Sequence, residues 1–497
     1  MSDGDRDKRR NSREDKEGIM RTENYVTILE RYDGTLARIL DRTYLRLRET
    51  GCSPDEEVSA AVTYTVMPVL LYFVEWVLQQ AKKEGKRRLY FLARDGYLMY
   101  HMAKQLCREY GITIECRYLY GSRYAWRIPE YHLDWKSCVE KMCLGGLRVS
   151  FFSMMRRGGL EGEEIRRAAG EFWPELSEQE REAEILREIS RVHQKEWKKR
   201  LSESLLLKEM IDSKSEKAYR STIGYLKQEG LFDGTEYALV DSGWVGSIQL
   251  TLSRLLRSAG YDKTPVGYYY GLYSLPSGAK SSDYRTWYFS PSDGLKNKAS
   301  FNNCLYECMI SSPEGSCTGY EYDARQKRFI PALDSGNHYN REQIMAEKKV
   351  MNLFLQEYCG RGTGREGPGE AVKKKCVRKL MKRLMIHPTM AEARYFGSFR
   401  FSDDVTDTEG GLLAKRLSET DFRKKRLISR LTGCLKKQDG PEGNASAWME
   451  GSIVLYAKHP RRELRNEQIH RWLLNMGKQA AALYQRWEIR HEKNKSG

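Results

Sequence analysis

Residues 87–106 read RRLYFLARDGYLMYHMAKQL, an apolar run that continues as an amphipathic helix. The run at 87–93 is apolar at most positions, a pattern that predicts a strand covered on both faces. Arg94, Asp95 and Gly96 lie at the junction between the predicted strand and the predicted helix. The stretch therefore predicts the first βα unit of a parallel sheet, with a charged turn at the end of its strand.

Three further apolar runs occur at 114–122, 236–242 and 265–274. The run at 236–242 leads into a second helical segment, IQLTLSRLLRSAG, for which Gly260 is a candidate C-cap. Strands that alternate with helices indicate βαβ units. The sequence therefore predicts an α/β protein built on a parallel sheet.

Three of the four runs end in polar, small or charged residues, at 93–96, 122–123 and 241–247. In an open parallel sheet, ligands bind outside the carboxyl ends of the strands, where helix N-termini converge on anions. We therefore expect these three turns to meet along one rim of the sheet and to form a ligand site.

The turn DSGWVGS at 241–247 has the composition of a phosphate cradle. Gly243 and Gly246 would let the backbone approach an anion, and Ser247 would donate a hydroxyl hydrogen bond. Asp241 would bind ribose hydroxyls or a metal. The turn lacks the lysine of a P-loop, which argues against nucleotide triphosphate hydrolysis. The alternative interpretation is a tight βα turn in which Asp241 caps the following helix.

Charge and composition limit the classes of partner. The formal net charge is +17 and the pI is near 9.2, which favours phosphorylated substrates, acidic lipid headgroups or nucleic acid. The sequence has no zinc-finger spacing, RNA-recognition signature or long lysine run, so nucleic acid is disfavoured. The 11 cysteines form no C-x-x-C pair and no two of the 8 histidines have i, i+4 spacing. We therefore predict neither a protein-bound metal centre nor a disulfide framework.

The N-terminal stretch MSDGDRDKRRNSREDKEG is charged throughout and has no apolar segment of the kind an export signal needs, so we expect a cytoplasmic protein. The most apolar window, Val66–Leu78, is too short to span a bilayer and is predicted to be a buried helix. A basic amphipathic pattern near the C-terminus would allow peripheral contact with the inner face of an anionic membrane. The alternative is that this helix docks on the protein's own core.

The pattern along the chain predicts three regions: a disordered tail at 1–20, an α/β core at 21–335 with a helical insertion at about 150–230, and a mainly helical C-terminal region at 336–497.

Several stretches, taken in order, resemble a known family. These are LYFLARDGYLMY, RYLYGSRYAWRIP, LVDSGWVGSIQ, PVGYYYGLYS, LYECMISSPEGSCTGY and WMEGSIVLY. Together they are similar to the phosphoribosyltransferase-like module of bacterial surface-polysaccharide cluster proteins, often fused to a phosphatase-like domain of the haloacid dehalogenase superfamily. The resemblance covers roughly residues 55–325 and 448–456. It implies a phosphoribosyltransferase-like fold.

The resemblance also implies an activity. A phosphoribosyl unit would pass from phosphoribosyl pyrophosphate to a glycan or a lipid-linked glycan, and a separate phosphatase chain would then remove the 5-phosphate. Mg²⁺ would enter bound to the pyrophosphate of this anionic phosphosugar donor. In the family the third turn carries an acidic pair, whereas this sequence has Asp241 followed by Ser242 in a turn about one residue shorter.

Roles carry over from the family residue by residue. Arg94, Asp95, Gly96 and Arg123 would surround the pyrophosphate, Asp241 would contact the ribose hydroxyls, and the third turn would hold the 5-phosphate. The expected substrate-binding residues are Arg94, Gly96, Ser122, Arg123, Gly243, Trp244, Gly246, Ser247, Gln249 and Tyr320. The expected catalytic residues are Asp241, Glu307 and Asp95.

Three of these residues have alternative interpretations. Glu307 would activate an acceptor hydroxyl as a general base, or it would be a partly exposed glutamate paired with a lysine or arginine. Trp244 and Tyr320 would stack on the ribose or the acceptor sugar, or they would belong to the core.

One further motif bears on phosphatase activity, and two functions other than a transferase remain as alternatives. The stretch ERYDGTL (Glu30–Leu36) is similar to the start of a haloacid dehalogenase phosphatase, but Arg31 occupies the nucleophile position and cannot attack phosphorus. The alternatives to a transferase are a haloacid dehalogenase-like phosphohydrolase of the same pathway and a non-catalytic phosphosugar-binding or scaffold protein.

Overall fold

A computed structural model gives the backbone of most of the chain. It describes residues 3–50, 55–144, 149–190, 193–294, 298, 300–334, 339–360, 367–401, 410–424, 446–473 and 476, with side chains described from residue 25 onward except at 194, 423 and 424. Helix α1 begins at Asp3, so it overlaps the stretch 1–20 for which the sequence predicts a disordered tail. The boundaries of the three predicted regions stay predictions.

The centre of the protein is a sheet of five strands. Its members are β1 (Arg88–Leu92), β2 (Glu115–Leu119), β3 (Tyr237–Trp244), β4 (Val266–Leu272) and β5 (Tyr284–Phe289). The spatial order is β2-β1-β3-β4-β5, and all four neighbouring pairs are parallel. The predicted α/β class, the parallel sheet and the four predicted strands are therefore confirmed.

Strand β5 was not predicted. It follows β4 after a connection that contains only a short 3-10 turn, Ser281–Asp283, whereas parallel strands are usually joined through a helix. The pattern of alternating strands and helices therefore does not predict β5.

Helices make up most of the remaining described chain. In order they are α1 (Asp3–Glu49), α2 (Glu56–Ala61), α3 (Met67–Lys83), α4 (Gly96–Glu109), α5 (Arg123–Arg127), α6 (Trp135–Met142), α7 (Phe151–Arg157), α8 (Gly162–Phe172), α9 (Glu178–Leu186), α10 (Gln194–Glu203), α11 (Leu205–Gln228), α12 (Ser247–Ser258), α13 (Asn303–Ile310), α14 (Arg341–Cys359), α15 (Glu370–Ile386), α16 (Met390–Gly397), α17 (Glu419–Lys424), α18 (Met449–Tyr456) and α19 (460–473). Two antiparallel hairpins join β6 (Cys317–Asp323) to β7 (Arg328–Leu333) and β8 (Arg400–Phe401) to β9 (Gly411–Leu412).

The side chains of β1 alternate between two hydrophobic cores. Leu89 and Phe91 pack with residues of α3 and α4, whereas Tyr90 and Leu92 pack with residues of α11 and α12. All five residues of β1 are buried, as its continuous hydrophobicity predicts. Helices α7–α11 contribute to a separate core that contains Phe151, so the predicted helical insertion is helical in the structure.

The apolar window Val66–Leu78 is buried, as predicted. It belongs to a continuous helical stretch, Glu56–Lys83, in which a π-helical turn at Val62–Val66 joins α2 to α3. This stretch has 28 residues and is the one candidate membrane span among the described residues, but 94% of its apolar window is buried inside the protein. Such burial is what a core helix shows.

The strand order creates a crevice at one position of the sheet. The chain leaves β1 toward β2 on one side and returns as β3 on the other side. In open α/β sheets a reversal of this kind opens a space beyond the carboxyl ends of the two central strands, and ligands bind there. The fold therefore places the ends of β1 and β3 at the point where a site is expected.

Candidate functional site

A cavity of about 470 Å³ lies at the carboxyl ends of β1, β2 and β3. The three predicted turns meet there, together with helix α13. Ten of the predicted site residues line it: Arg94, Asp95, Ser122, Arg123, Asp241, Gly243, Trp244, Gly246, Ser247 and Glu307.

The first turn is held tightly against its own strand. A Cβ atom on Gly96 would lie 2.9 Å from the backbone carbonyl carbon of Phe91, so this position requires glycine. Gly96 is not part of the cavity lining, and its expected contact with pyrophosphate has no support from its position. Asp95 precedes α4 without capping it, and its carboxylate accepts a hydrogen bond from the hydroxyl of Ser242. This bond ties the end of β1 to the end of β3.

The third turn has three residues in the left-handed region: Gly243 (φ 112°), Trp244 (φ 73°) and Gly246 (φ 71°). A Cβ atom on Gly243 would lie 2.4 Å from the carbonyl oxygen of Gly271 on β4. Gly243 is therefore needed for packing within the sheet. A non-glycine residue in this region is strained, and such strain clusters at functional sites.

The N-terminus of α12 opens into the cavity. Its N-cap is Gly246, which has no side chain to satisfy the first N–H groups of the helix. Asp241 lies within β3, so the alternative interpretation in which Asp241 caps α12 is wrong. The hydroxyl of Ser247 lines the cavity and has no hydrogen-bond partner among the described residues. An uncapped helix N-terminus attracts anions.

In the second turn, Ser122 has a structural role, whereas Arg123 presents an exposed charge. Ser122 caps α5 by accepting a hydrogen bond from the amide of Ala125 (2.9 Å), and it donates to the carbonyl oxygen of Cys317 (2.7 Å). Its hydroxyl is thus engaged in joining α5 to β6. The next residue, Arg123, is exposed. Within the described chain, the side chains of Arg94 and Arg123 form neither an ion pair nor a hydrogen bond.

Three partly buried carboxylates lie close enough to repel one another. Burial, followed by the charge of Asp95, raises the pKa of Asp241 well above its usual value. Burial also raises the pKa of Asp95, although the nearby guanidinium groups of Arg94 and Arg123 act to lower it. Burial and the charge of Asp95 raise the pKa of Glu307 to about 7. Burial is therefore the main cause of all three shifts, and the charge of Asp95 adds to the rise in pKa of Asp241 and Glu307.

Glu307 projects from α13 and accepts a hydrogen bond from the indole Nε1 of Trp244 (2.5 Å). The N-cap of α13 is Asn302, whose carboxamide oxygen accepts from the amide of Leu305 (2.8 Å) and whose Nδ2 donates to the carbonyl oxygen of Ala447 (2.9 Å). Ala447 directly precedes residues 448–456, the second stretch of the resemblance. This stretch therefore begins next to the residue that holds the N-terminus of α13, the helix that carries Glu307.

Besides Gly96, two further predicted binding residues do not line the cavity. Gln249 is buried, and its Nε2 donates to the carbonyl oxygens of Pro265 (2.9 Å) and Asp283 (3.1 Å). Tyr320 is also buried, and its hydroxyl accepts from the Nε1 of Trp126 (2.8 Å). Their polar groups join elements of the fold, so the prediction that they bind substrate finds no support here.

The ring of Tyr320 stacks on that of Tyr225 with centroids 4.2 Å apart, so it has the core role given as the alternative. Trp244 packs against Phe301 and Tyr306 while also lining the cavity. Trp244 therefore has the core contacts given as the alternative, and stacking on a sugar stays a prediction.

Sequence reasoning missed several polar residues of the lining, among them Arg127 and three residues of the β6–β7 hairpin. Arg127 lies one helical turn after Arg123 on α5, and burial lowers the pKa of its guanidinium. The spacing of the two arginines was the available signal. Ser316, Thr318 and Asp334 come from the ends of the β6–β7 hairpin, which was not recognised as a pair of strands.

The phosphatase-like motif Glu30–Leu36 lies inside α1, away from the sheet. Its Asp33 is buried and interrupts the helix (φ −155°, ψ 75°). The Asp33 carboxylate accepts from the amide of Leu36 (2.9 Å) and from the hydroxyl of Tyr72 (2.9 Å). The motif therefore has a structural role in the described chain, which agrees with the sequence-based rejection of a catalytic role.

Across the part of the chain that the structure describes, no group of three or more His, Cys, Asp or Glu side chains is arranged to hold a metal ion. No protein-family model matches the sequence, and no curated protein matches it significantly.

Proposed function

We propose that the protein is a phosphoribosyltransferase-like enzyme that transfers a ribofuranosyl 5-phosphate unit from phosphoribosyl pyrophosphate to a glycan. The observation that carries the proposal is the convergence of an uncapped helix N-terminus, two unpaired arginines and a buried acidic group in one cavity. A doubly phosphorylated sugar presents two anionic ends and a hydroxylated centre, which matches this arrangement. The phosphoribosyltransferase-like character of the core is part of the proposal.

The 5-phosphate would bind at the N-terminus of α12. The backbone N–H groups that follow Gly246 have no side-chain cap, and the hydroxyl of Ser247 is available to donate. Both features suit a phosphate dianion, because the helix dipole and the open N–H groups act in the same direction.

The pyrophosphate would lie between the first two turns. Arg94 and Arg123 line the cavity from different strand ends, and neither is paired with another described residue. Guanidinium groups bind phosphate oxygens through paired N–H donors. They would also stabilise the negative charge that grows on pyrophosphate as it leaves.

The carboxylates of Asp95 and Asp241 fit a Mg²⁺ ion carried by the donor. Burial raises the pKa of both carboxyl groups, the charge of Asp95 raises the pKa of Asp241 further, and neither group forms an ion pair with a described residue. Mg²⁺ typically binds one or two carboxylates together with substrate phosphates and water. When bound, the ion would neutralise charge on the departing pyrophosphate. Asp241 would in addition accept hydrogen bonds from the ribose hydroxyls.

Glu307 would act as the general base. The bond between C1 of the ribose and the pyrophosphate oxygen breaks, and a bond forms between C1 and the acceptor oxygen. The proton of the acceptor hydroxyl passes to the Glu307 carboxylate. A pKa of about 7 leaves a large ionised fraction near neutral pH and makes the carboxylate basic enough to take the proton.

A pyrophosphate-release assay with Mg²⁺, phosphoribosyl pyrophosphate and a panel of oligosaccharide acceptors tests the proposal. We expect acceptor-dependent release of pyrophosphate that is lost in Glu307→Gln and kept in Glu321→Gln, a matched change on the exposed side of β6. Binding of the donor without release would instead support the non-catalytic phosphosugar-binding protein. Release of inorganic phosphate from a sugar phosphate would support the phosphohydrolase.

A further inference from the structure

A second cavity lies outside the candidate site, beside the start of α19. It has a volume of about 890 Å³, and its walls are mostly apolar. Met390, Val454 and Leu464 contribute apolar side chains, whereas Arg461 and Arg462 lie at the N-terminal end of α19. A groove with apolar walls and basic side chains suits an amphiphile with an anionic headgroup.

The helix that borders this groove carries polar side chains beside Leu464 on its inner side, and it carries apolar side chains on its outer side. On the inner side, Glu463 is buried and Arg471 pairs with Glu450 (2.7 Å), whose side chain is fully buried. On the outer side, the exposed fractions are 44% for Ile469 and 53% for Trp472. A usual surface helix turns its apolar stripe toward the core, so the exposure of these apolar side chains is unusual.

The buried ion pair prevents α19 from turning its apolar side inward. Rotation of the helix would remove Arg471 from Glu450 and leave the Glu450 carboxyl group without its partner in the interior, which is unfavourable. The apolar side chains are therefore held outward by the fold. The alternative interpretation, in which this helix docks on the protein's own core, holds for Leu464 and Arg471, whereas Ile469 and Trp472 stay exposed.

Arginines occupy the same side of α19 as the exposed apolar residues. Arg461, Arg465 and Ile469 follow one another at i, i+4 spacing, and Trp472 and Leu473 continue this side of the helix. The side chains of the two arginines are exposed, and neither forms an ion pair or a hydrogen bond with a described residue. This side of α19 therefore carries both arginines without an acidic partner among the described residues and exposed apolar side chains.

We propose that this side of α19, together with the adjoining groove, binds the surface of an anionic lipid bilayer. Ile469, Trp472 and Leu473 would enter the boundary between headgroups and acyl chains, and the arginines would contact lipid phosphates. A second copy of the chain suits the surface less well, because a symmetric contact would place the same arginines opposite one another. The proposal does not depend on the donor or the reaction.

Flotation of the full-length protein with lipid vesicles tests the proposal. We expect binding to vesicles of phosphatidylcholine with about 30% phosphatidylglycerol, and at least about tenfold weaker binding to phosphatidylcholine alone, because each basic residue near an anionic surface strengthens binding about fivefold. Trp472→Glu and the double variant Arg461→Glu with Arg465→Glu should each weaken binding to the anionic vesicles at least about tenfold.

Matched control variants test whether vesicle binding depends on this surface or on any exposed apolar or positively charged residue. Leu205→Glu changes an apolar residue that is 75% exposed on α11, and Arg325→Glu with Arg328→Glu reverses two exposed arginines on the β6–β7 hairpin. Both controls should bind like the wild type, and circular dichroism should show that every variant is folded. Equal binding of the α19 variants and their controls would overturn the proposal. So would an absence of binding, or a dimer in light scattering that Trp472→Glu dissociates.

Discussion

The hydroxyl of Ser242 donates a hydrogen bond to the carboxylate of Asp95, although the two residues are 147 positions apart in the sequence. The bond joins the carboxyl ends of β1 and β3, the two strands between which the chain reverses direction. The position that holds the second acid in the resembling family thus holds a donor here. Ser242 positions Asp95 in the cavity and lowers its pKa.

Removal of this hydroxyl should destabilise the protein. In Ser242→Ala the partly buried Asp95 carboxylate loses its donor, which should lower the free energy of unfolding by about 1–3 kcal/mol. Urea denaturation measures the change. The matched variant is Ser247→Ala in the same cavity, whose hydroxyl has no described partner. Its free energy should change by less than about 0.5 kcal/mol, and equal effects of the two variants would contradict this role for Ser242.

Gly243→Ala should be more damaging. The residue has a φ of 112°, and its new Cβ would lie 2.4 Å from a backbone oxygen of β4. We expect a loss of more than about 2 kcal/mol in the free energy of unfolding, from backbone strain and the clash together. Gly319→Ala is the control, because nothing lies within 4 Å of its added Cβ and its φ is not positive. A Gly243→Ala protein as stable as the control would show that the turn is arranged differently.

Stability should depend on the ionisation of Glu307. Its pKa rises from 4.5 to about 7 on folding, so the neutral carboxyl favours the folded state at low pH. This contribution is complete below about pH 4.5 and is lost as the pH rises through 7. Relative to Glu307→Gln, the wild type should therefore lose up to about 3 kcal/mol across this range. Chemical denaturation at several pH values measures the difference, and a constant difference would contradict the raised pKa.

Arg123 should matter for anion binding and not for stability. It is exposed and pairs with no other described residue, so Arg123→Ala should change the free energy of unfolding by less than about 0.5 kcal/mol. The same variant should bind inorganic pyrophosphate at least about tenfold more weakly, because hydrogen bonds to charged groups contribute about 1.5–3 kcal/mol. Arg325→Ala, on the hairpin away from the cavity, is the control for calorimetric titration. Equal affinity of the two variants would place pyrophosphate elsewhere.

The parts of the fold that could be predicted from sequence were those with a strong local pattern. The continuous hydrophobicity of β1 predicted that the strand is buried on both faces. The polar residues after three strands predicted that their ends share one rim of the sheet. Strand β5 has no preceding helix, so no local pattern marked it as part of the sheet.

The site could be predicted as far as it depends on the strand ends. Arg94, Arg123 and Asp241 line one cavity, as expected from parallel strands. The roles of Gln249 and Tyr320 depend on partners far away in the sequence, Asp283 and Trp126, which no local pattern identifies. The same holds for Asp334, which reaches the cavity through the pairing of β6 with β7.

The central claim is that one pocket binds both phosphorylated ends of a sugar. Calorimetric titration of the wild type with Mg²⁺ and phosphoribosyl pyrophosphate tests it most directly, with ribose 5-phosphate and pyrophosphate as separate ligands. We predict one site per chain, an affinity for the complete donor at least about tenfold above that for either part, and competition by both parts. Failure of the donor to bind, or binding of the two parts without competition against it, would contradict the account.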